Sequence, residues 1–200
     1  MNTVLFDLGK VLLDWDPRYF YHRFFENDPT GLEHFVREVV AQEWIVTMDA
    51  GTPASIAIEA RCRAYPEHAQ LIALWMQGWP SMLRGEIPGT LEILESLRAK
   101  NRRLYALTNF SAETWPLATA RIPSLAWFED VIVSGEHGLI KPDRRIYELA
   151  ISRCRLDPSA TVFIDDTIAN VEAARACGLH ARHFVSPQTL LADLRELGLL

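Results

Sequence analysis

Hydrophobic residues follow two patterns along the chain. Near the start, and again after about residue 100, they gather in short unbroken runs: Val4-Leu5-Phe6, Leu104-Tyr105-Ala106-Leu107, Val131-Ile132-Val133 and Thr161-Val162-Phe163-Ile164. Runs of this kind predict short buried strands, and a weaker run from His180 to Phe184 predicts one more. Between Pro17 and about Arg84 the apolar residues instead recur three and four apart, as in a small antiparallel helix bundle. Pro17 suits a first helical turn with Asp16 as its cap. Asp28-Pro29 opens a helix through Leu32, Phe35 and Val39-Val40, Thr52-Pro53 another through Ile56 and Cys62, and Pro66 a third through Leu71, Trp75 and Met76. Thr90 then caps a predicted helix through Leu91, Leu94 and Leu97. Further helices are predicted from about Ala112 (disturbed by Pro116), from Asp143 to Cys154, through Val171 and Ala174 to a stop at Gly178, and from Pro187 onward.

Strands alternating with helices make parallel βαβ units. The predicted fold is therefore α/β, a doubly wound, Rossmann-like parallel sheet. Residues 1–14 and 86–200 would form this core, and residues 15–85 a helical insertion after the first strand. Parallel strands point the same way, so their C-terminal ends line one edge, where ligands bind. That edge collects Asp7, Thr108, Ser134, Asp165 and Asp166, with the insertion above it as a lid.

Carboxylates from Asp7, Asp165 and Asp166 in one small space repel one another and need compensation. A divalent cation supplies it, and oxygen-only ligands favour Mg²⁺. The plainer alternative is that Asp165-Asp166 only cap the next helix; the other polar strand ends beside them favour the metal. A loop lysine is ordinarily solvated surface, but Pro142 and the following helix fix Lys141 so that it could reach the acidic edge, offset the carboxylates and bind an anion. Thr108 and Asn109 can donate hydrogen bonds to the same anion, or simply begin a helix.

Composition narrows the partners. A formal charge of −6 argues against nucleic acid. No apolar run is long enough for a membrane, and Asp7 and Lys10 interrupt the N-terminal apolar stretch, which is therefore no signal peptide. Cys62, Cys154 and Cys177 are scattered and odd in number, which fits a reducing cytoplasm. His22, His34, His68 and His137 show no ligand spacing. Trp15, Tyr19, Trp44 and Trp75 read as bundle core, with stacking on a sugar ring as the alternative.

The strand ends resemble the motifs of the haloacid dehalogenase superfamily, in order and along most of the chain. Phe6-Asp7-Leu8-Gly9-Lys10-Val11 resembles the nucleophile motif, and Leu107-Thr108-Asn109 the phosphate-binding motif. Lys141-Pro142-Asp143 with Ile146-Tyr147 resembles the lysine motif, and Phe163-Ile164-Asp165-Asp166 with Asn170 the acidic metal motif. The insertion resembles the family's small helical cap, and the first motif with Gly9, together with Trp44 and Asp49-Gly51, is most similar to the branch holding bacterial glucose-1-phosphate phosphatases.

The resemblance implies a Mg²⁺-dependent phosphatase of a small phosphorylated metabolite, such as a sugar phosphate. Asp7 would form an aspartyl-phosphate. Asp7, the Gly9 carbonyl and Asp166 would hold Mg²⁺, reinforced by Asp165 and Asn170. Thr108 and Lys141 would hold the phosphoryl oxygens.

Gly9 departs from the pattern. Most phosphatases of the family carry an Asp there as general acid and base, so its lack predicts slow clearance of the aspartyl-phosphate unless Asp14 or Asp16 reaches the site. Two other readings follow. A 2-haloacid dehalogenase needs no metal, but that branch has Tyr and Thr where Gly9 and Val11 stand, and no pair like Asp165-Asp166. A non-catalytic binding or regulatory protein could have kept the fold and lost activity through Gly9.

Overall fold

A computed structural model describes residues 1–200. The chain begins with β1 (Thr3–Phe6) and β2 (Leu13–Trp15). A helical stretch follows: α1 (Arg18–Tyr21), α2 (Pro29–His34, continued by a wider turn over Phe35–Val39), α3 (Gln42–Asp49), α4 (Ala54–Ala64), α5 (Ala69–Ala73) and α6 (Trp75–Met82). It returns through β3 (Leu83–Glu86) to α7 (Pro88–Ala99), β4 (Arg103–Thr108), α8 (Trp115–Arg121), β5 (Asp130–Val133), α9 (Ser134–His137) and α10 (Arg144–Arg153). The last elements are β6 (Thr161–Asp165), α11 (Ile168–Ala176), β7 (His180–His183) and α12 (Pro187–Glu196).

Five strands form one parallel sheet in the order β5-β4-β1-β6-β7. Successive side chains of a strand point to opposite faces. Val4, Phe6 and Ile164 join a cluster with Ile93 and Leu97 of α7 and Leu190 and Leu194 of α12. Leu5, Leu107 and Phe163 join a second cluster with Tyr147 of α10 and Val171 and Ala174 of α11. Helices thus cover both faces, which is why the strand sequences are apolar without alternation. The order turns back at β1: the chain moves outward to β4 and β5 on one side and to β6 and β7 on the other. Residues at the carboxyl end of β1 therefore sit at the switch point, where such sheets bind ligands.

The helical stretch is joined to the core by an antiparallel ribbon in which Leu13 pairs with Glu86 and Trp15 with Leu83. The apolar spacing did not predict this ribbon. Its strands are short, Arg84 and Glu86 are polar, and Gly85 takes a φ of 142°. Several helix starts also differ. The helix expected from Pro66 is broken at Leu74 into α5 and α6, and α6 carries Pro80 inside it. Gly78 of α6 allows this helix to lie against Phe20, since a Cβ there would meet the ring at 2.4 Å. Thr52 does not cap α4, whose Ala54 N–H donates instead to Glu113 Oε1 at 3.0 Å. Thr90 lies inside the first turn of α7, which begins at Pro88. Pro116 falls in the first turn of α8, where it disturbs nothing. Asp28, Asp143 and the stop at Gly178 stand as expected. No helix is long and apolar enough to cross a membrane.

Candidate active site

The site begins with how the chain leaves β1. Asp7 N–H still donates to Ile164 O at 2.8 Å, extending the ladder by one residue. The backbone then curls: the N–H groups of Val11, Leu12 and Leu13 all point to Leu8 O, and Lys10 takes a φ of 58°. The curl leaves the Gly9 carbonyl without a backbone donor, at the wall of a cavity of about 300 Å³.

Lys141 is 3% exposed and joins two acids, donating from Nζ to Asp7 Oδ1 at 2.8 Å and to Asp165 Oδ2 at 2.7 Å. Burial works against its charge, but the two carboxylates outweigh that and hold the ammonium above its ordinary value. Burial likewise pushes Asp7 up to about 7, with Lys141 pulling down and Asp165 and Asp166 adding to the rise.

The two acids of the Asp165-Asp166 pair differ. Asp165 is saturated: Thr167 N–H and Asn170 Nδ2 donate to Oδ1 at 2.8 and 3.0 Å, and Asn170 and Lys141 donate to Oδ2. Asp165 therefore braces the turn ahead of α11 through Thr167 N–H, but neither it nor Asp166 caps the helix, whose N-cap residue is Thr167 with no side-chain cap bond. Asp166 is half-buried and has only Thr167 Oγ1, at 3.4 Å. Carboxylate oxygens of Asp7, Asp165 and Asp166 lie within 4.8 Å of one another. Three carboxylates against one ammonium leave two formal negative charges, which one divalent cation would neutralise. Asp7, Asp166 and the Gly9 carbonyl offer it hard oxygen donors, so the residues fit Mg²⁺.

Phe6 pairs with Ala106, so Thr108 stands two residues further along the neighbouring strand, at the same edge as Asp7. Its hydroxyl is buried without a partner. A buried orphan donor is costly, so this hydroxyl is free to bond a ligand atom that reaches it. Asn109 is engaged otherwise than its sequence position suggests. Its amide donates to Lys141 O at 3.0 Å and accepts from Lys141 N–H at 2.8 Å, so it holds the lysine loop. Asn109 does line the cavity, whereas Ser134 and Thr108 are not in its wall. The Ser134 hydroxyl donates to Asp49 O at 2.6 Å and accepts from Phe110 N–H at 2.9 Å, tying the helical stretch to the core.

The upper wall is apolar, with Trp15, Ile45, Met48, Trp75 and Trp79 from the helical stretch and its ribbon. Trp44 is buried with Nε1 on Ala57 O, and the Tyr19 hydroxyl donates to Asp14; neither lines the cavity. Asp14 and Asp16 do not reach it, being held by Tyr19 and Arg18.

The carboxyl that does enter is Asp49, at the end of α3. Sequence spacing gave it no role, because nothing between residues 7 and 49 signals that they meet. The local hints are the Asp49-Gly51 resemblance and an acid ending an otherwise uncharged helical turn ahead of Gly51, which takes a φ of 94°. Asp49 is 8% exposed. Burial, then the charge of Asp7, push it up to about 7, against Lys141 and a hydrogen bond from the Ser111 backbone. A carboxyl raised in the folded state lends stability that is complete below its unfolded pKa and lost as pH rises through the folded one. Asp49→Asn, which mimics the neutral form, should therefore leave the metal-free melting temperature unchanged near pH 4 and raise it by roughly 5–10 °C near pH 8. Thermal melts at both pH values check this; an equal shift at both would contradict it.

A family model for haloacid dehalogenase-like hydrolases matches residues 1–178. The chain is 31% identical over 216 residues to acyl-CoA dehydrogenase family member 10 of Mus musculus, a match over 98% of this chain and 19% of that protein. The chain thus spans about a fifth of that relative's length. It is 29% identical over 189 residues to a phosphorylated carbohydrates phosphatase of Thermotoga maritima, over 90% of this chain and 82% of that one. A haloacid dehalogenase family enzyme of Bacteroides thetaiotaomicron, solved with magnesium and inorganic phosphate, shares the fold with a TM-score of 0.64 at 22% identity, over 92% of this chain and 93% of that one.

Proposed function

The chain belongs to the haloacid dehalogenase-like hydrolases, and from that premise we propose that it is a Mg²⁺-dependent phosphatase acting on a small phosphomonoester through an aspartyl-phosphate on Asp7. The observation that carries this reading is the cluster of Asp7, Asp165 and Asp166 around Lys141, in a cavity whose wall also holds Gly9. Asp7 attacks phosphorus and takes the phosphoryl group. Lys141 has three protons; Asp7 and Asp165 take two, and the third is left for a phosphoryl oxygen. Thr108 donates to another phosphoryl oxygen, and Asn109 keeps Lys141 in place. Asp7, the Gly9 carbonyl and Asp166 hold Mg²⁺, while Asp165 and Asn170 brace the site from behind. When bound, the ion offsets charge on the phosphoryl oxygens.

Residues 15–85 act as the cap over a core of 1–14 and 86–200, and the Trp15 and Trp75 rings offer apolar faces to a sugar. The Thermotoga maritima relative supports a phosphorylated carbohydrate as substrate. The three free cysteines support a reducing compartment such as the cytoplasm.

Purified protein should hydrolyse p-nitrophenyl phosphate and sugar phosphates with Mg²⁺ and stop in EDTA. Calorimetry should show no heat of Mg²⁺ binding to Asp166→Ala, and Ca²⁺, which prefers a larger, looser shell, should inhibit the wild type. EDTA-resistant turnover, or unchanged Mg²⁺ affinity in Asp166→Ala, would overturn the assignment. Metal-independent halide release from a 2-haloacid would instead mark a dehalogenase.

A further inference from the structure

We propose that Asp49 is the general acid and base of this reaction, brought from the helical stretch to stand in for the carboxylate that Gly9 lacks. The proposal rests on the phosphatase reading above. Hydrolysis through Asp7 needs one proton delivered to the leaving oxygen and one removed from water. Asp7 is the nucleophile, Asp166 is the open metal ligand, and Asp165 is saturated by Lys141, Asn170 and Thr167. Lys141 is locked between two carboxylates, and Lys10 is exposed. Asp14 and Asp16 are held outside the cavity. Asp49 is the remaining carboxyl in its wall.

Its place is fixed. Ser134 Oγ clamps the Asp49 carbonyl at 2.6 Å, and Ser134 is itself held by Phe110 N–H. The close approach at this clamp leaves little slack: a Cβ on Gly135 would meet Ala112 N at 2.6 Å, and one on Gly51 would meet Gly135 O at 3.2 Å. Asp49 lines the same cavity as Asp7, and no hydrogen bond joins the two carboxyls, so neither is tied up by the other. In the first step Asp7 bonds to phosphorus and the bond to the leaving oxygen breaks. That oxygen keeps the electron pair and takes the proton of neutral Asp49, giving the free alcohol. In the second step the Asp49 carboxylate takes a proton from water, whose oxygen attacks phosphorus. The bond to Asp7 breaks, phosphate leaves, and both carboxyls regain their starting forms. This replaces the slow clearance expected from Gly9 alone.

Rapid-quench kinetics on the Mg²⁺-loaded protein test it. Wild type should show no burst. Asp49→Asn should lower kcat by roughly 10²–10⁴-fold. With p-nitrophenyl phosphate, whose leaving group departs unaided, the variant should release a burst of one nitrophenolate per site and accumulate phosphorus label on Asp7. With an alkyl phosphate the burst itself should be lost. A second substitution separates chemistry from structure. A Cβ on Gly9 meets nothing within 4 Å, and its backbone is not left-handed, so an Asp side chain fits there. Gly9→Asp should restore at least about tenfold of the turnover lost in Asp49→Asn, and Gly9→Asn should not. Wild-type kcat without label accumulation in Asp49→Asn, or a loss that Gly9→Asp does not recover, overturns the proposal while leaving the phosphatase reading intact. A wild type and variant that neither turn over nor become labelled overturn both.

Discussion

Asp7→Asn leaves the protein folded and lowers phosphoester turnover by at least about 10⁴-fold, because the attacking oxygen is gone and no neighbour can replace it. The other acids at this edge are committed. Asp165 is fully bonded, and Asp166 lies one residue past the end of β6. The fold survives because the substitution removes a buried carboxylate rather than a packing group. Asp7 is pushed up to about 7 by burial, so its charge is held at a cost, and Lys141 keeps its contact with Asp165 at 2.7 Å. The amide oxygen of Asn still accepts from Lys141. Steady-state assays, a thermal melt and phosphorus labelling together check this. Near-normal turnover in a folded Asp7→Asn protein would remove Asp7 from the chemistry.

How far the sequence foretold this site depends on how each residue reports its place. Asp7, Thr108 and Asp165 sit at the ends of apolar runs, and βαβ chirality and strand parallelism bring such ends together without further information. Lys141 was legible because Pro142 and the Asp143 cap fix a loop on the same edge. Asp49 and Ser134 were not. Ser134 was expected beside the carboxylates, yet its hydroxyl is used up by a backbone carbonyl from the helical stretch. Asp49 gained its environment from that same contact. Neither partner carries a signal of this contact, since a contact across 85 residues is set by how two separately patterned regions dock. The β2–β3 ribbon was hidden for a different reason. Two strands of three and four residues give no period to read, and helical spacing on one side extended the apparent bundle into them. The aromatics fell between the two readings: Trp44 is core, while Trp15 and Trp75 are wall and core at once.

Lys141→Met tests the opposite half of the site, the cation on which two buried acids depend. Lys141 touches Asp7 at 2.8 Å and Asp165 at 2.7 Å, with its side chain 1% exposed. Removing one partner of a buried ion pair strands the other, at a cost of roughly 3–5 kcal/mol. For a chain of this length that lowers the melting temperature by roughly 10 °C. Turnover falls as well, by about 10²–10³-fold or more, since the phosphoryl oxygens lose a donor that is already in position. The stability loss should depend on pH in a definite direction. Lys141 is what pulls Asp7 down against burial, so without it the folded carboxyl rises further above its ordinary value. Such a group is stable in the fold when protonated and costs stability as pH climbs through its folded pKa. The deficit of Lys141→Met, measured in EDTA, is therefore largest at about pH 8 and shrinks toward pH 5. Adding Asp165→Asn should return part of the lost stability at pH 8 and none of the lost activity. A deficit that is the same at both pH values and indifferent to Asp165→Asn would mean that lost packing, rather than stranded charge, sets the cost.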